Sequence, residues 1–462
     1  MPTDHTPLLD ALCQEYEEKF VNSARAHARA REVLVDGVSH GARLFEPYPF
    51  RVQSAEGAYV SDIDGHRIID FWQGHYANIL GHNPAVIRRT LVQELEHGWG
   101  LQTGLPEERQ TEFAQALARA TGNERVRLTT AGTLATMYAI MLSRAYTQRQ
   151  IVVKVAGGWH GANPMALKGV GRTAAGFDGV DSAGVPTTTR EEIVVISFND
   201  VDILRKVFRS LGDQIACLIF EPYLGGGGFI PATQAFMDEA RALTTRYGAM
   251  LILDEVITGF RFCAGGVQRL YGVQADLTTY GKIVGGGMPL SAVAGRADVM
   301  DLCAAKASPR VWFNGGTFSA HPLALLAGTA LIEHLAAHEE EIYPALAAQG
   351  DRLREGIEAA FSREGVLART TGHSRGAVAP GSLLSVYFPL RDDLEVASAE
   401  EALNPALCDV TLQEKALKLG LLLENVNVSH GLGAISTEHS EADLDAVVAA
   451  CGAFARRLAA SR

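Results

Sequence analysis

The chain has 462 residues, 47% of them hydrophobic, which is ample for one large domain and a smaller one. Its 41 basic against 53 acidic side chains leave a formal charge of -12, which repels nucleic-acid phosphate and anionic membrane surfaces, so any anionic ligand must be held by a local arrangement. No segment approaches the roughly 20 uninterrupted apolar residues of a membrane span, and acids interrupt MPTDHTPLLDALCQEYEEKF where a secretory signal is basic then apolar, so a cytoplasmic location is expected.

Residues 11–34 carry apolar positions among Glu, Lys and Arg at helical spacing, which predicts one N-terminal helix stopped at Asp36-Gly37. GAYVSDIDGHRIIDF then predicts two short strands around a turn at Asp64-Gly65. From about residue 75 the texture changes to short β-rich runs separated by helix-like stretches: VRLTT (126–130) before LATMYAIMLSRAY, then IVVKV (151–155), IVVIS (193–197), IACLIFEP (215–222) and AMLILDE (249–255). Continuous rather than alternating Val/Ile/Leu runs suit strands buried on both faces of a mostly parallel sheet, with helices such as 233–247 crossing over. This predicts a doubly wound α/β domain ending near residue 330. Beyond it, helix-like 331–361, 409–419 and 440–460 alternate with strand-like SLLSVYF, as in a smaller α/β domain. The expected division is an N-terminal segment (1–70) packing with the small domain, a large domain (71–330) and a C-terminal small domain (331–462). Residues 169–190 form the one long Gly-rich loop, a length that often serves as a lid.

Chemistry concentrates at apparent strand ends, where open α/β sheets collect ligand groups. Lys282, in LTTYGKIVGGGMPLSAVAG, follows Asp254 of AMLILDEVITGFR by 28 residues. A lysine amine forms a Schiff base with an aldehyde, and a buried carboxylate holds a pyridine nitrogen protonated; pyridoxal phosphate needs both groups. Each half also has an ordinary reading, a solvated loop lysine and a strand-end or Walker B acid, but no GxxxxGK[ST] string accompanies the acid. Thr129-Thr130-Ala131-Gly132-Thr133 lies between a strand and a helix, so the backbone N–H groups of Gly132, Thr133 and Leu134 are expected to point out of a helix start, an anion-binding arrangement or simply a capped helix. Trp159-His160-Gly161 offers an aromatic face at a strand end. Asn314 to Phe318 supplies exposed amides and the Thr317 hydroxyl, a second phosphate clamp or a glycine turn. Gly225 to Gly228 after Glu221-Pro222 reads as room for close backbone approach. His373-Ser374-Arg375 has no accompanying GxSxG, which argues against hydrolase chemistry. The six cysteines (Cys13, Cys217, Cys263, Cys303, Cys408, Cys451) lie far apart without a CxxC pair, so neither a zinc site nor a disulfide framework is expected, and no metal.

With these strings assembled, the chain closely resembles the class III aminotransferases of PLP fold type I, and within them the glutamate-1-semialdehyde 2,1-aminomutase-like branch. The resemblance runs over nearly the whole length: EGAYVSDIDGHRIIDF, LGHNPAVI, TTAGTLATMYAIMLSRAYT, GGWHG, SAGVP, the EP at 221, LILDEVITGFR, DLTTYGKIVGGGMPLSAVAGR and GGTFSAHPLALLAG. It implies pyridoxal 5'-phosphate as cofactor, with Lys282 as Schiff-base lysine and proton carrier and Asp254 paired with the pyridinium nitrogen. Val256 would pack on one ring face, Trp159 would stack in the place of a common tyrosine, and His160 would join the cofactor contacts. Gly132 and Thr133 would hold the phosphate, helped by Thr317 reaching across from a neighbouring subunit, so a homodimer is implied.

Departures from the family pattern bear on the reaction. Thr130-Ala131-Gly132-Thr133-Leu134 stands where the family reads Asn-Ser-Gly-Thr-Glu, losing a hydroxyl donor and a carboxylate near the phosphate. Gly74-His75-Tyr76-Ala77-Asn78 replaces a Ser-Trp-Gly-Pro stretch, and His321 replaces an Asn, so His75, Tyr76 and His321 are expected at a rebuilt substrate pocket. Arg43, in GARLFEPYPF, is the expected carboxylate fork or else a surface arginine. The expected activity is transfer of an amino group between an amino acid or amine and a keto acid or aldehyde. The alternative is the aminomutase itself, an intramolecular transfer, with decarboxylation a more distant one. A PLP-binding scaffold without catalysis would require damage to Lys282 or Asp254, and both are present.

Overall fold

A computed structural model describes residues 4–98, 100–171, 176–373, 381–429 and 431–461. Its centre is a seven-stranded sheet in the order Arg125–Thr129, Ser291–Gly295, Leu277–Tyr280, Met250–Glu255, Ile215–Phe220, Ile151–Val155, Ile193–Ile196. Ser291–Gly295 runs antiparallel to both neighbours and the other pairings are parallel. Every residue of Ile215–Phe220 and Met250–Glu255 is buried, which is why the first strand and the second up to Leu253 read as unbroken apolar runs. The crossover helix Gln234–Tyr247 starts where Thr233 accepts a hydrogen bond from Phe236 N (3.2 Å) and stops at Gly248, whose φ of 67° reverses the chain into the next strand.

The predicted single N-terminal helix is two, Thr6–Lys19 and Val21–Arg31. They break at Phe20 (φ −109°, ψ 47°), whose buried ring stacks on Tyr16 with centroids 4.3 Å apart, so core packing overrides the continuous helical period. The predicted strands around Asp64-Gly65 are Tyr59–Asp62 and Arg67–Asp70; the second is joined by Val426–Asn427, nearly 360 residues away in sequence. Leu8, Leu12, Tyr16 and Phe20 share one core with Leu417, Leu421 and Phe454, which ties the N-terminal segment to the C-terminal region.

Two C-terminal expectations change in detail. The stretch 331–361 spans parts of two helices, Pro322–Ala337 and Glu339–Arg363, that part at His338. SLLSVYF forms two short strands, Leu383–Leu384 with Gly433–Ala434 and Val386–Tyr387 with Arg369–Thr370. Ser385 between them turns its N–H to Thr371 Oγ1 (2.9 Å), which divides the run between two partners. Within 169–190, residues 172–175 lie outside the described residues. The remainder is tied down by Gly169 N to Gly179 O (2.9 Å) and Val170 N to Asp181 Oδ2 (2.8 Å). Ser374 and Arg375 also lie outside the described residues. Among the described residues, no helix is long and apolar enough to cross a membrane.

Candidate active site

Asp254 and Lys282 sit at the ends of adjacent parallel strands, which brings them to the same edge of the sheet. The register sets Asp254 beside Thr279, whose hydroxyl donates to Asp254 Oδ1 at 2.9 Å; Val256 N donates to the same oxygen at 3.1 Å. Oδ2 faces His160 Nδ1 at 2.7 Å. Lys282 starts a short 3-10 turn, Lys282–Gly285, with a φ of 49°, a backbone conformation that costs an L-residue about 1 kcal/mol or more and fits a functional position. Burial draws the Lys282 amine below the usual lysine range, opposed by the charges of Asp254 and Glu221.

Both side chains line one cleft of about 580 Å³, the size of a small-molecule site. Its walls also include Gly132, Thr133, Trp159, His160, Glu221 and Val256. At one wall the strand Arg125–Thr129 feeds the helix Gly132–Thr147, whose cap residue Ala131 has no side-chain oxygen to satisfy the first amides. Leu134 N is not available there, contrary to the sequence expectation: it turns back to Ala131 O at 3.0 Å, as Ala135 N does at 3.1 Å. Gly132 and Thr133 are then the amides at the helix mouth, where the dipole favours an anion. Gly161 (φ 85°) lies so close that an added Cβ would stand 2.4 Å from Thr133 Oγ1. The GWHG turn therefore packs directly on the helix start.

His160 is buried, its carbonyl accepts from Thr136 Oγ1 (2.5 Å), and its Nε2 has no partner among the described residues. Trp159 is half exposed at the cleft, and its N–H donates to Glu221 Oε1 at 2.9 Å. Glu221 Oε2 accepts from Gly225 N at 3.2 Å, and a Cβ at Gly225 would stand 2.4 Å from Ile257 Cδ1, so the glycine does allow close approach. Burial, reinforced by Asp254, pushes the Glu221 carboxyl up to about 8. Thr279, Glu221 and Ser291 belong to this site without having been singled out from sequence for a role in it. A hydroxyl on the strand paired with Asp254 is the signal that finds Thr279.

The expected substrate residues do not line this cleft within one chain. The cleft lining includes Gly74, Ala77 and Asn78 but not His75 or Tyr76. Tyr76 is buried with its hydroxyl on Ser429 O (3.2 Å), and the His75 ring packs on Trp72 and His40. Arg43 lines a second cavity of about 390 Å³ with Trp72 and Lys418, its Nε 3.5 Å from His75 Nε2. His321 caps the helix Pro322–Ala337, and Thr317 is exposed, its carbonyl accepting from Gln102 Nε2 at 2.7 Å; neither lines this chain's own cleft.

Residues 41–425 match the family described as Aminotransferase class-III. The chain belongs to this family. This class-III aminotransferase is 37% identical over 434 residues to a glutamate-1-semialdehyde 2,1-aminomutase of Laribacter hongkongensis, covering 93% of this chain and 98% of that protein. Among solved structures it superposes on an omega-transaminase from Sphaerobacter thermophilus with a TM-score of 0.84 at 30% identity, covering 95% of this chain and 98% of the other. It also matches a transaminase solved with PLP bound, with a TM-score of 0.82 at 30% identity over 96% and 99% of the two chains. The fold is the α/β fold type I of PLP-dependent enzymes, and the cofactor of this class-III enzyme is pyridoxal 5'-phosphate.

Proposed function

We propose that this enzyme moves an amino group between separate molecules, an amino acid or amine and a keto acid or aldehyde, with Lys282 and Asp254 as its catalytic pair. The observation that carries the reading is that these two residues, from different strands, line one cleft together with the Gly132–Thr133 helix start. The donor set fits the cofactor: an amine for its aldehyde, a carboxylate for its ring nitrogen, two amides and the Thr133 hydroxyl for its phosphate, and Val256 and Trp159 for its faces. Bound pyridoxal phosphate supplies an electron sink that stabilises negative charge at the carbon bearing the amino group. Lys282, its ammonium weakened by burial, gives up its proton readily and serves as the group that takes and returns a proton at that carbon. Asp254, held by Thr279, Val256 N and His160, presents a fixed anionic oxygen to the ring nitrogen.

Arg43 and His75 remain the proposed substrate contacts by way of the mouth beside Gly74, with Tyr76 packed next to them on Trp72 and His321 as a further proposed contact. Thr317 of the partner subunit would complete the phosphate site in a homodimer. The exposed Trp312, Phe318, Leu101 and Leu105 around it support an apolar contact between copies.

A second reading, intramolecular transfer as in a glutamate-1-semialdehyde 2,1-aminomutase, is favoured by the relative of that name matched over 98% of its length. The departures at 74–78, of which Gly74, Ala77 and Asn78 line the cleft, favour a different substrate. Supplying glutamate-1-semialdehyde without any keto acid separates the two: rapid formation of 5-aminolevulinate overturns the first reading, whereas amino transfer that requires an added acceptor supports it.

A further inference from the structure

Trp159 lines the cleft, and among the described residues its ring makes no hydrogen bond and no contact with another aromatic ring. Trp159 is 42% exposed, and glycines stand at 157, 158 and 161, residues that lose the most backbone freedom on ordering. A ring that must stack in one pose needs its backbone fixed by other means.

The fixing is at the peptide group between Gly158 and Trp159. Its carbonyl, Gly158 O, accepts from Lys154 Nζ at 2.9 Å, and its N–H, on Trp159, donates to Glu221 Oε1 at 2.9 Å. In a trans peptide the C=O and N–H point in opposite directions, so the ammonium and the carboxyl group grip it from its two sides along its own dipole. Lys154 is fully buried and Glu221 nearly so, which strengthens both bonds and makes each expensive to leave unmade. Lys154 lies on the strand Ile151–Val155 and Glu221 just past Ile215–Phe220, its neighbour in the sheet, so two adjacent strands supply the two jaws. Each jaw is anchored a second time: Lys154 Nζ also donates to Ala166 O (2.9 Å), and Glu221 Oε2 accepts from Gly225 N. Neither side chain has a place in the catalytic steps above.

We propose that Lys154 and Glu221 are positioning residues that clamp the Gly158–Trp159 peptide and thereby set the pose of Trp159 against the cofactor ring. The inference rests on Trp159 as the stacking residue, and the test separates the two ideas. Amide exchange resolved at Trp159 in the cofactor-free chain reads the clamp alone. Glu221→Ala is expected to raise that exchange about five- to hundredfold, the cost of leaving a buried amide donor without its acceptor, and Lys154→Met to raise it similarly. Glu221→Gln, whose amide carbonyl can still accept the N–H, is expected to stay within a few-fold of wild type. Unchanged exchange in a folded Glu221→Ala chain overturns the clamp; should Lys154→Met not fold, the two Glu221 variants decide.

Cofactor affinity reads the consequence. Glu221→Ala should weaken pyridoxal phosphate binding in the wild-type background and add little in a Trp159→Ala background. Equal losses in both backgrounds show that Glu221 does not act through Trp159 and overturn the proposal. If Trp159→Ala leaves affinity and the cofactor's visible absorption unaltered, the stacking reading fails, whatever the exchange data show.

Discussion

His160 Nδ1 lies 2.7 Å from Asp254 Oδ2, with both side chains buried. Burial draws the imidazole below its usual range although Asp254 opposes this, so the ring is neutral near pH 7 and has a single N–H to give. Asp254 accepts it, which makes Nδ1 the protonated nitrogen and leaves Nε2 as the orphan acceptor. His160→Phe keeps the ring volume and removes the donor. Its kcat is expected to fall about ten- to hundredfold, the worth of one hydrogen bond to a charged acceptor. Steady-state kinetics at saturating cofactor would check this, and an unchanged kcat would remove His160 from the account of Asp254.

Lys282→Ala is expected to abolish both the visible absorption band of the cofactor-loaded protein and amino transfer, with a loss of at least roughly 10²–10⁴-fold from the proton transfer alone. Asp254→Asn should keep the band in a shifted position and lose roughly 10²–10³-fold in kcat, because a fixed charge rather than a bond has been removed. Full activity in either variant would falsify the catalytic pair.

Gly161→Ala tests the seat of the helix start. The substitution meets a positive φ and a contact of 2.4 Å to Thr133 Oγ1, so either the turn or the helix mouth must move. Destabilisation of about 1–3 kcal/mol is expected, with a weaker cofactor complex. Thermal unfolding with and without pyridoxal phosphate measures both, and an unaltered Tm in both states would show that the turn yields freely.

Burial holds two carboxyls above their usual range, Glu221 at about 8 and Glu255 at about 7. Between the unfolded value of 4.5 and these folded values, the native state binds more protons than the unfolded chain. Their stabilising contribution is therefore complete below pH 4.5 and is lost as pH rises to about 8. Tm of the cofactor-free protein should drop across that window, and Glu221→Gln should drop less steeply. Parallel profiles would mean that Glu221 does not titrate there.

Arg43→Ala should raise KM for carboxylate-bearing substrates by about tenfold or more while leaving simple amines nearly unaffected, the mark of a lost charged hydrogen bond in substrate binding. An equal effect on both substrate classes would assign Arg43 to the structure of the second cavity, where it lies with Trp72 and Lys418.

Much of this was legible along the chain. The buried strands appear as continuous apolar runs because both faces of the sheet are covered; Asp254 stands out at the end of such a run, and Lys282 by the glycines around it after Leu277–Tyr280. Local periodicity predicts one N-terminal helix where there are two, because Phe20 is placed by Tyr16 and a distant core. SLLSVYF reads as one strand along the chain, but its halves pair with Gly433–Ala434 and Arg369–Thr370 in separate small sheets.

The candidate cofactor site could be read from short strings only in combination, since the lysine, the strand-end acid and the helix start each have an ordinary reading alone. What holds them required the folded chain. Strand order and register set Thr279 against Asp254 and Glu221 against the Trp159 amide. Sequence spacing does not encode which strands become neighbours, and desolvation, which lowers the Lys282 amine and raises the Glu221 carboxyl, exists only once those neighbours close over the site.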